Sequence, residues 1–340
     1  MRRREFVSML GGSVLAPIVR PRFAWAQPQA APPTIGFLGA TTKTIWSTFV
    51  AAFEQGLNEH GWITDQTIKI DYQWAGGNDG RYKAIADEFV RQRVAVIVTG
   101  GTQAVLAAKE ATSKTKIPVV FATAGDPVGT RLVETISQPG DNITGFSNQQ
   151  TDLAGKRVQL LQELVPGIRR LALLGNTDSL NVALEMKAVQ ETAAQRSPAL
   201  EISILDIKRT DDVLPKVKNL KDRADGIYVC TDPLVTTNRC LIAKLALEES
   251  LPTINAFRQY VEAGGLMSYG PNFPDLFRRA AGYVDRILHG ANPATLPVQQ
   301  PEKFDTVMNW TTATKLNLSI PDSFRSRVPD IIEFPTCSDR

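Results

Sequence analysis

Small polar residues and glycine recur wherever an apolar run gives way to a helical pattern. Gly39-Ala40-Thr41-Thr42 follows the first such run, Thr99-Gly100-Gly101-Thr102-Gln103 another, and Thr123-Ala124-Gly125-Asp126-Pro127 a third. Gly175-Asn176-Thr177-Asp178-Ser179 and Thr231-Asp232-Pro233 repeat the arrangement later in the chain. Glycine lets backbone approach a bound group, and N–H groups at a helix start, beside Ser or Thr hydroxyls, favour an anion. The residues Thr99, Gly100, Thr102 and Gln103 are therefore candidates to hold a carboxylate, with Thr41, Thr42, Ala124, Asn176 and Thr231 in the matching segments. Asp126 and Asp232 are candidates to meet an ammonium group from opposite sides. Trp46, Phe257, Tyr260 and Tyr269 lie near these segments and would sandwich an apolar or aromatic body. For any single segment, capping a helix is the commoner role of Asp, Ser or Thr. The set as a whole points to a cleft.

Signatures of catalysis are thin. His60 reads as a helix-end residue and His289 as a surface residue, and neither belongs to a metal pattern. No phosphate-binding Gly-x-x-x-x-Gly-Lys loop and no Gly-x-Ser-x-Gly elbow occurs. No carboxylate pair stands out as an acid–base couple. The chain reads as a binder rather than an enzyme, with no cofactor and no metal.

The elements that position these segments alternate. Thr34 to Leu38 is an apolar strand. Trp46, Phe49, Val50, Phe53 and Leu57 follow at helical spacing, and His60-Gly61 ends that helix. Ile68 to Trp74, Val94 to Val98 and Pro118 to Phe121 read as strands, with helices between them. A second run begins near Leu153, with strands at Leu171 to Leu174, Glu201 to Leu205, Gly226 to Val229 and Pro252 to Ile254. Apolar strands alternating with helices imply parallel sheets covered on both faces. In such sheets ligands bind beyond the carboxyl ends of the strands, where the polar segments fall. Pro127, Pro139-Gly140 and Asn142 break the pattern between the two runs, so two open α/β sheets are expected rather than one.

The 340 residues are 43% hydrophobic and 21% charged, enough for two cores. Arg2, Arg3 and Arg4 precede a mild apolar stretch, and Ala24-Trp25-Ala26 matches a small-x-small cleavage site. Residues 1–26 are read as a twin-arginine-like export signal, with a plain Sec signal as the alternative, cleaved after Ala26 to leave a periplasmic protein. Five arginines and one glutamate leave with it, turning the formal charge of +3 into −1. No electrostatic case for nucleic acid remains. Cys230, Cys240 and Cys337 fit neither a metal site nor a redox motif. Free, mostly buried thiols are expected, with a Cys230–Cys240 bridge as the alternative.

Several longer pieces are more specific. They are Gly125-Asp126-Pro127-Val128-Gly129, Asn142-Ile143-Thr144-Gly145-Phe146-Ser147, Leu153-Ala154-Gly155-Lys156-Arg157, and the block from Val261 to Asn272. With them the sequence, from about Thr34 to about Pro321, resembles the ABC-transporter substrate-binding family that includes tryptophan- and tyrosine-type binding proteins. The resemblance implies a type I periplasmic-binding fold, two lobes joined by three crossovers. These are expected near Asn142 to Ser147, Gly265 to Gly270 and Pro297 to Lys303. Lobe 1 would hold 33–146 plus 267–298, lobe 2 would hold 147–266 plus 299–320, and 321–340 would be a loosely packed tail. Phe146-Ser147-Asn148, with Ser147 at its centre, joins the candidates here, with a purely hinge role as its alternative. The resemblance also implies a small-molecule ligand, an amino acid or aromatic compound. Its partners would be an inner-membrane permease and its ATPase, and a monomer is the default. A sensor feeding a membrane signalling protein uses the same fold and stays open as the alternative. An exported enzyme is the weaker one.

Overall fold

The computed structural model describes residues 31–196, 199–333 and 337. The expected export signal lies outside them. The first half runs β1 (Thr34–Gly39), α1 (Ser47–Glu59), β2 (Lys69–Trp74), α2 (Asp79–Gln92), β3 (Val96–Gly100), α3 (Thr102–Thr112), β4 (Val119–Ala124) and β5 (Ile143–Ser147). The second half opens with α4 (Ala154–Leu164), β6 (Arg170–Gly175), α5 (Leu180–Ala194), β7 (Glu201–Asp206), α6 (Val213–Val217) and β8 (Gly226–Val229). It continues with α7 (Pro233–Thr237), α8 (Arg239–Glu248), β9 (Thr253–Asn255), α9 (Arg258–Glu262) and β10 (Met267–Pro271). Then come α10 (Phe273–Leu288), β11 (Phe304–Asn309), α11 (Trp310–Lys315), α12 (Asp322–Arg325) and β12 (Asp330–Ile332).

Two sheets result. The first has five parallel strands in the order β2-β1-β3-β4-β5. The second has seven, in the order β12-β11-β10-β9-β8-β6-β7, parallel except for the β10–β11 pair. The central strands β1, β3 and β4 are buried almost throughout, as residues covered by helices on both faces must be. Helix α1 buries Phe49, Phe53 and Leu57 on one stripe and stops at Gly61, which takes a positive φ of 84°.

Helix α10 packs along α1. Gly56 makes this approach close, since a Cβ there would lie 2.3 Å from the Arg278 carbonyl oxygen. Asn272 caps α10 by accepting from the Asp275 N–H at 2.9 Å, worth about 1 kcal/mol. Phe277 is fully buried from this helix, contributing roughly 1.5–3 kcal/mol. One apolar core joins Ile35 to Phe146 with Phe273 to Val298, so α10 belongs to the first lobe. The other cores are built from the segments after Ser147 up to Met267, together with Met308, Phe324 and Ile332.

Three expectations differ from the structure. Met267 does not open a first-lobe segment. It pairs in parallel with Ile254 inside the second sheet, and the chain returns to the first lobe only after Pro271. The tail is not loose, for Phe324 enters the second core and β12 adds an edge strand beside β11. The cysteines also pair differently. Cys240 and Cys337 form a disulfide with Cα atoms 5.6 Å apart, and Cys230 is the free, buried thiol. The return of the chain through β12 carries Cys337 to α8, a proximity that spacing in sequence does not encode. No helix among the described residues is long and apolar enough to cross a membrane.

Candidate functional site

The loops after β1, β3 and β4 face those after β5, β8 and β9 across a chamber. The cavity between its walls is small, about 50 Å³. The first lobe supplies Thr41, Trp46, Phe49, Thr102 and Thr123, and the second supplies Asn148, Gln150, Asn181, Thr231, Asp232 and Phe257.

One wall is aromatic. Phe49 stacks on Phe277 at 5.1 Å between centroids, and Trp46 meets the same ring edge-on at 5.3 Å. Phe257, from the second lobe, packs on Phe273 of the first at 4.3 Å. The aromatic wall therefore spans the seam between the lobes.

The first-lobe polar wall is rich in hydroxyls. Thr41 and Thr123 are 2% and 6% exposed, and neither hydroxyl has a hydrogen-bond partner. A buried hydroxyl without a partner costs free energy, so a bound polar group would relieve both. Thr102 opens α3, which no side chain caps, and Gly101 before it has φ 87°. The Thr102 Oγ1 accepts the Gly125 N–H at 3.2 Å, tying the β3 and β4 loops together.

The second-lobe wall carries Asp232, 4% exposed. Its Oδ1 accepts the N–H groups of Leu234 at 2.7 Å and Val235 at 3.2 Å, capping α7. Burial pushes its pKa up to about 7, against the opposing pull of those two N–H groups. Its Oδ2 accepts no hydrogen bond among the described residues. Asp232 thus caps a helix with one oxygen and leaves the other uncommitted.

Behind this wall lies a buried ion pair. Glu185 accepts from Arg157 Nη1 at 2.9 Å and from the Tyr228 hydroxyl at 2.8 Å through Oε1. Through Oε2 it accepts from Gln150 Nε2 at 2.6 Å and the Thr231 N–H at 2.8 Å. Burial holds the Tyr228 phenol well above its usual pKa, so it remains a donor. Arg157 also donates to the carbonyls of Gln150 and Tyr269.

Of the residues singled out in the sequence, Thr41, Trp46, Thr102, Thr231, Asp232 and Phe257 line the chamber. The others take structural places. Thr42 accepts the Trp46 N–H through its carbonyl, closing a turn. The Thr99 hydroxyl donates to the Leu38 carbonyl within the sheet, and Ala124 is buried in β4. Gly100 sits where a Cβ would press on Thr123 and Phe277. Asp126 accepts the Gly129 N–H in its own turn rather than facing Asp232 across the cleft. Ser147 accepts the Gln149 N–H just past β5, and Asn176 caps Asp178 and accepts from Lys208. Tyr269 stacks on Phe304, and Tyr260 is buried. Gln103 bridges the lobes, donating to the Ser179 hydroxyl at 3.0 Å.

Sequence reasoning passed over Gln150 and Asn181, and reached Thr123 and Asn148 only as members of longer segments. Thr123 opens a segment that was singled out, and Asn148 and Gln150 follow directly on β5, so strand-end position was a usable signal. Asn181 lies inside the first turn of α5, where nothing in its spacing marks it.

The lobes stand close together. Gly125 faces the second lobe so tightly that a Cβ there would lie 2.5 Å from Gln150 Oε1. The fold is similar to several solved structures. A conserved domain protein from Vibrio cholerae aligns with TM-score 0.83 and 26% identity, over 88% of this chain and 99% of that one. A Streptococcus pneumoniae ABC domain in complex with L-Trp aligns with TM-score 0.82 and 24% identity, over 89% and 100%. The ligand-free, open structure of a Clostridium difficile substrate binding protein with adhesive properties reaches TM-score 0.65 at 25% identity, over 89% and 100%. These neighbours, and the more distant arabinose binding protein from Geobacillus stearothermophilus at TM-score 0.57, share the type I periplasmic-binding fold. Among curated proteins, a tyrosine-binding protein of Clostridioides difficile is 25% identical over 266 residues, 78% of this chain and 75% of that one. Residues 46–330 match the family described as ABC transporter substrate binding protein. With two α/β lobes closing on a polar and aromatic chamber, and that match running through most of its length, the chain belongs to the ABC transporter substrate-binding family.

Proposed function

We propose that the protein captures a free amino acid with an aromatic or apolar side chain in the interlobe chamber and presents it to a permease and its ATPase. One observation carries this reading. Unpaired Thr41 and Thr123 hydroxyls on one lobe face Asp232 and Gln150 on the other, beside an aromatic wall of Trp46, Phe49 and Phe257. Hydroxyl donors and the start of α3 suit a carboxylate, and the Asp232 carboxylate suits an ammonium. The rings suit an apolar body. The tyrosine-binding relative supports the same ligand class.

Contacts from both lobes make such a ligand favour the closed form, because a ligand shifts an equilibrium only by its differential affinity. The closer match to the L-Trp complex than to the ligand-free, open neighbour supports reading this arrangement as closed. The protein acts as a monomer outside the inner membrane, exported by the signal in residues 1–26. N-terminal sequencing of the mature protein should begin at Gln27.

A thermal-shift screen of the amino acids tests the ligand class. An aromatic or large apolar amino acid should raise the melting temperature, since a ligand that binds only the native state stabilises it. No shift with any amino acid would sink the proposal.

A further inference from the structure

We infer that Glu185 is a positioning residue that selects ligands bearing an amine, by locking the orientation of the Gln150 side-chain amide. The inference rests on the proposed amino-acid ligand and adds to it a residue that never touches that ligand.

Glu185 is fully buried on α5, behind the chamber wall. Gln150, 2% exposed, lines the chamber. Both hydrogens of the Gln150 amide nitrogen are engaged on the inner side. One goes to Glu185 Oε2 at 2.6 Å, the other to the Thr231 carbonyl at 3.3 Å. The flipped amide would set its oxygen against a carboxylate and a carbonyl, two acceptors with no proton between them. The flip is therefore closed to it. Gln150 Oε1 must point the other way, toward Gly125 on the first lobe, and it accepts nothing among the described residues.

The rest of the network holds Glu185 to this task. Arg157 and Tyr228 fill Oε1, leaving Oε2 for Gln150 and the Thr231 N–H. The Gln150 backbone is fixed as well, with its N–H donating to Asn148 Oδ1 at 3.1 Å and its carbonyl accepting from Arg157. The second lobe thus presents two acceptors, Gln150 Oε1 and Asp232 Oδ2, and a ligand must bring donors to them. A carboxylic acid of the same shape without its amine leaves both without a partner.

A Glu185→Gln substitution reverses this. An amide at 185 that still accepts from Arg157 and Tyr228 turns its NH2 toward Gln150. One of the two acceptors that barred the flip has then become a donor, so Gln150 is released to turn and offer its own NH2 to the chamber. The test measures affinities by calorimetry for two pairs: L-tyrosine with 3-(4-hydroxyphenyl)propionate, and L-tryptophan with indole-3-propionate. Glu185→Gln should weaken the bound amino acid by about tenfold or more. It should leave the amine-free partner within about threefold, so that the preference for the amine collapses. Gln150→Met keeps the Arg157–Glu185 pair intact and should lose the same preference, which secures the test if Glu185→Gln does not fold. The double variant should lose no more than either single one, because both act through one amide.

Equal weakening of both members of a pair would reduce Glu185 to a structural role and overturn the inference, as would an unchanged preference in Gln150→Met. In both cases the wild type still binds its amino acid and the proposed function stands. Failure of the wild type to bind any amino acid would overturn the proposed function, and this inference with it.

Discussion

Gln103 and Ser179 meet across the cleft, the amide nitrogen of the first donating to the hydroxyl of the second at 3.0 Å. Ser179 in turn donates to Asn181 Oδ1 at 2.7 Å, and Asn181 lines the chamber. A contact that exists only when the lobes are together is thereby joined to a wall of the binding site. Gln103→Ala should loosen the closed form by about 0.5–1.5 kcal/mol, the net value of one hydrogen bond. Ligand affinity should fall by the matching factor, roughly two- to tenfold. Calorimetry on Gln103→Ala, Ser179→Ala and the double variant checks this, and additive losses would contradict a single shared bond.

Asp232 predicts a pH dependence. Its pKa is raised by burial from 3.8 to about 7, so between those values the folded protein holds a proton that the unfolded chain has lost. The ligand-free protein should lose stability as pH rises through that window and level off above it. Affinity for an amine-bearing ligand should run the other way, strengthening as Asp232 ionises toward pH 7 and above. Asp232→Ala should weaken that ligand by about tenfold or more, about 1.4 kcal/mol. Asp232→Asn should flatten the profile between pH 6 and 8. A full pH profile retained in Asp232→Asn would assign Asp232 to capping α7 alone.

Thr41 and Thr123 bury hydroxyls that nothing among the described residues satisfies. Replacing either by valine keeps the shape and removes the unpaired group. Thermal stability without ligand should hold or rise slightly, within about 1 kcal/mol. Affinity for a free carboxylate ligand should drop by about fivefold or more, and an uncharged ester of the same ligand should be nearly indifferent. Calorimetry with the acid and the ester separates the outcomes.

Arg157 and Glu185 form an ion pair with both side chains almost wholly excluded from water. Removing one partner leaves a buried charge alone. Arg157→Met should cost about 3–5 kcal/mol of stability in a urea titration. Adding Glu185→Leu should restore a large part of it, since an apolar pair leaves no charge stranded. A double variant less stable than Arg157→Met would refute this account.

The disulfide from Cys240 to Cys337 closes a loop with a sequence separation of 97. Cys240→Ser, or reduction by a dithiol, should lower stability by about 2–4 kcal/mol. Neither cysteine lines the chamber, so ligand affinity should stay within about twofold. A large loss of affinity on reduction would mean that the second lobe depends on this link for its shape.

Long elements with a clean period were legible in the sequence. The stripe through Phe49, Phe53 and Leu57 marks α1, and the apolar run Gly226 to Val229 coincides with β8. The strands that escaped notice are short, interrupted by glycine or proline, or late in the chain. β5 contains Gly145, whose missing Cβ would lie 2.0 Å from the Phe121 carbonyl oxygen. β10 contains Gly270 and Pro271, residues that weaken any strand signal yet suit its packing beside β9. β12 has three residues and is recognisable only because β11 lies beside it. In the candidate site, Thr41, Thr102, Thr231 and Asp232 were legible because the chamber lining follows strand ends. Asp126 has the same position but spends its carboxylate on Gly129, and only the local turn geometry shows that. Gln150 and Asn181 depend on where the second lobe turns after β5, which residue types do not reveal.

Helix α10 completes the first lobe against α1, and β11 with β12 completes the second, so each half is built from early and late chain. A nascent polypeptide leaving the ribosome therefore cannot finish the first core until residues near 298 have emerged, nor the second until those near 332 have followed. The two halves mature almost together, at the end of synthesis. A chain cut anywhere between residues 273 and 332 leaves at least one half unfinished.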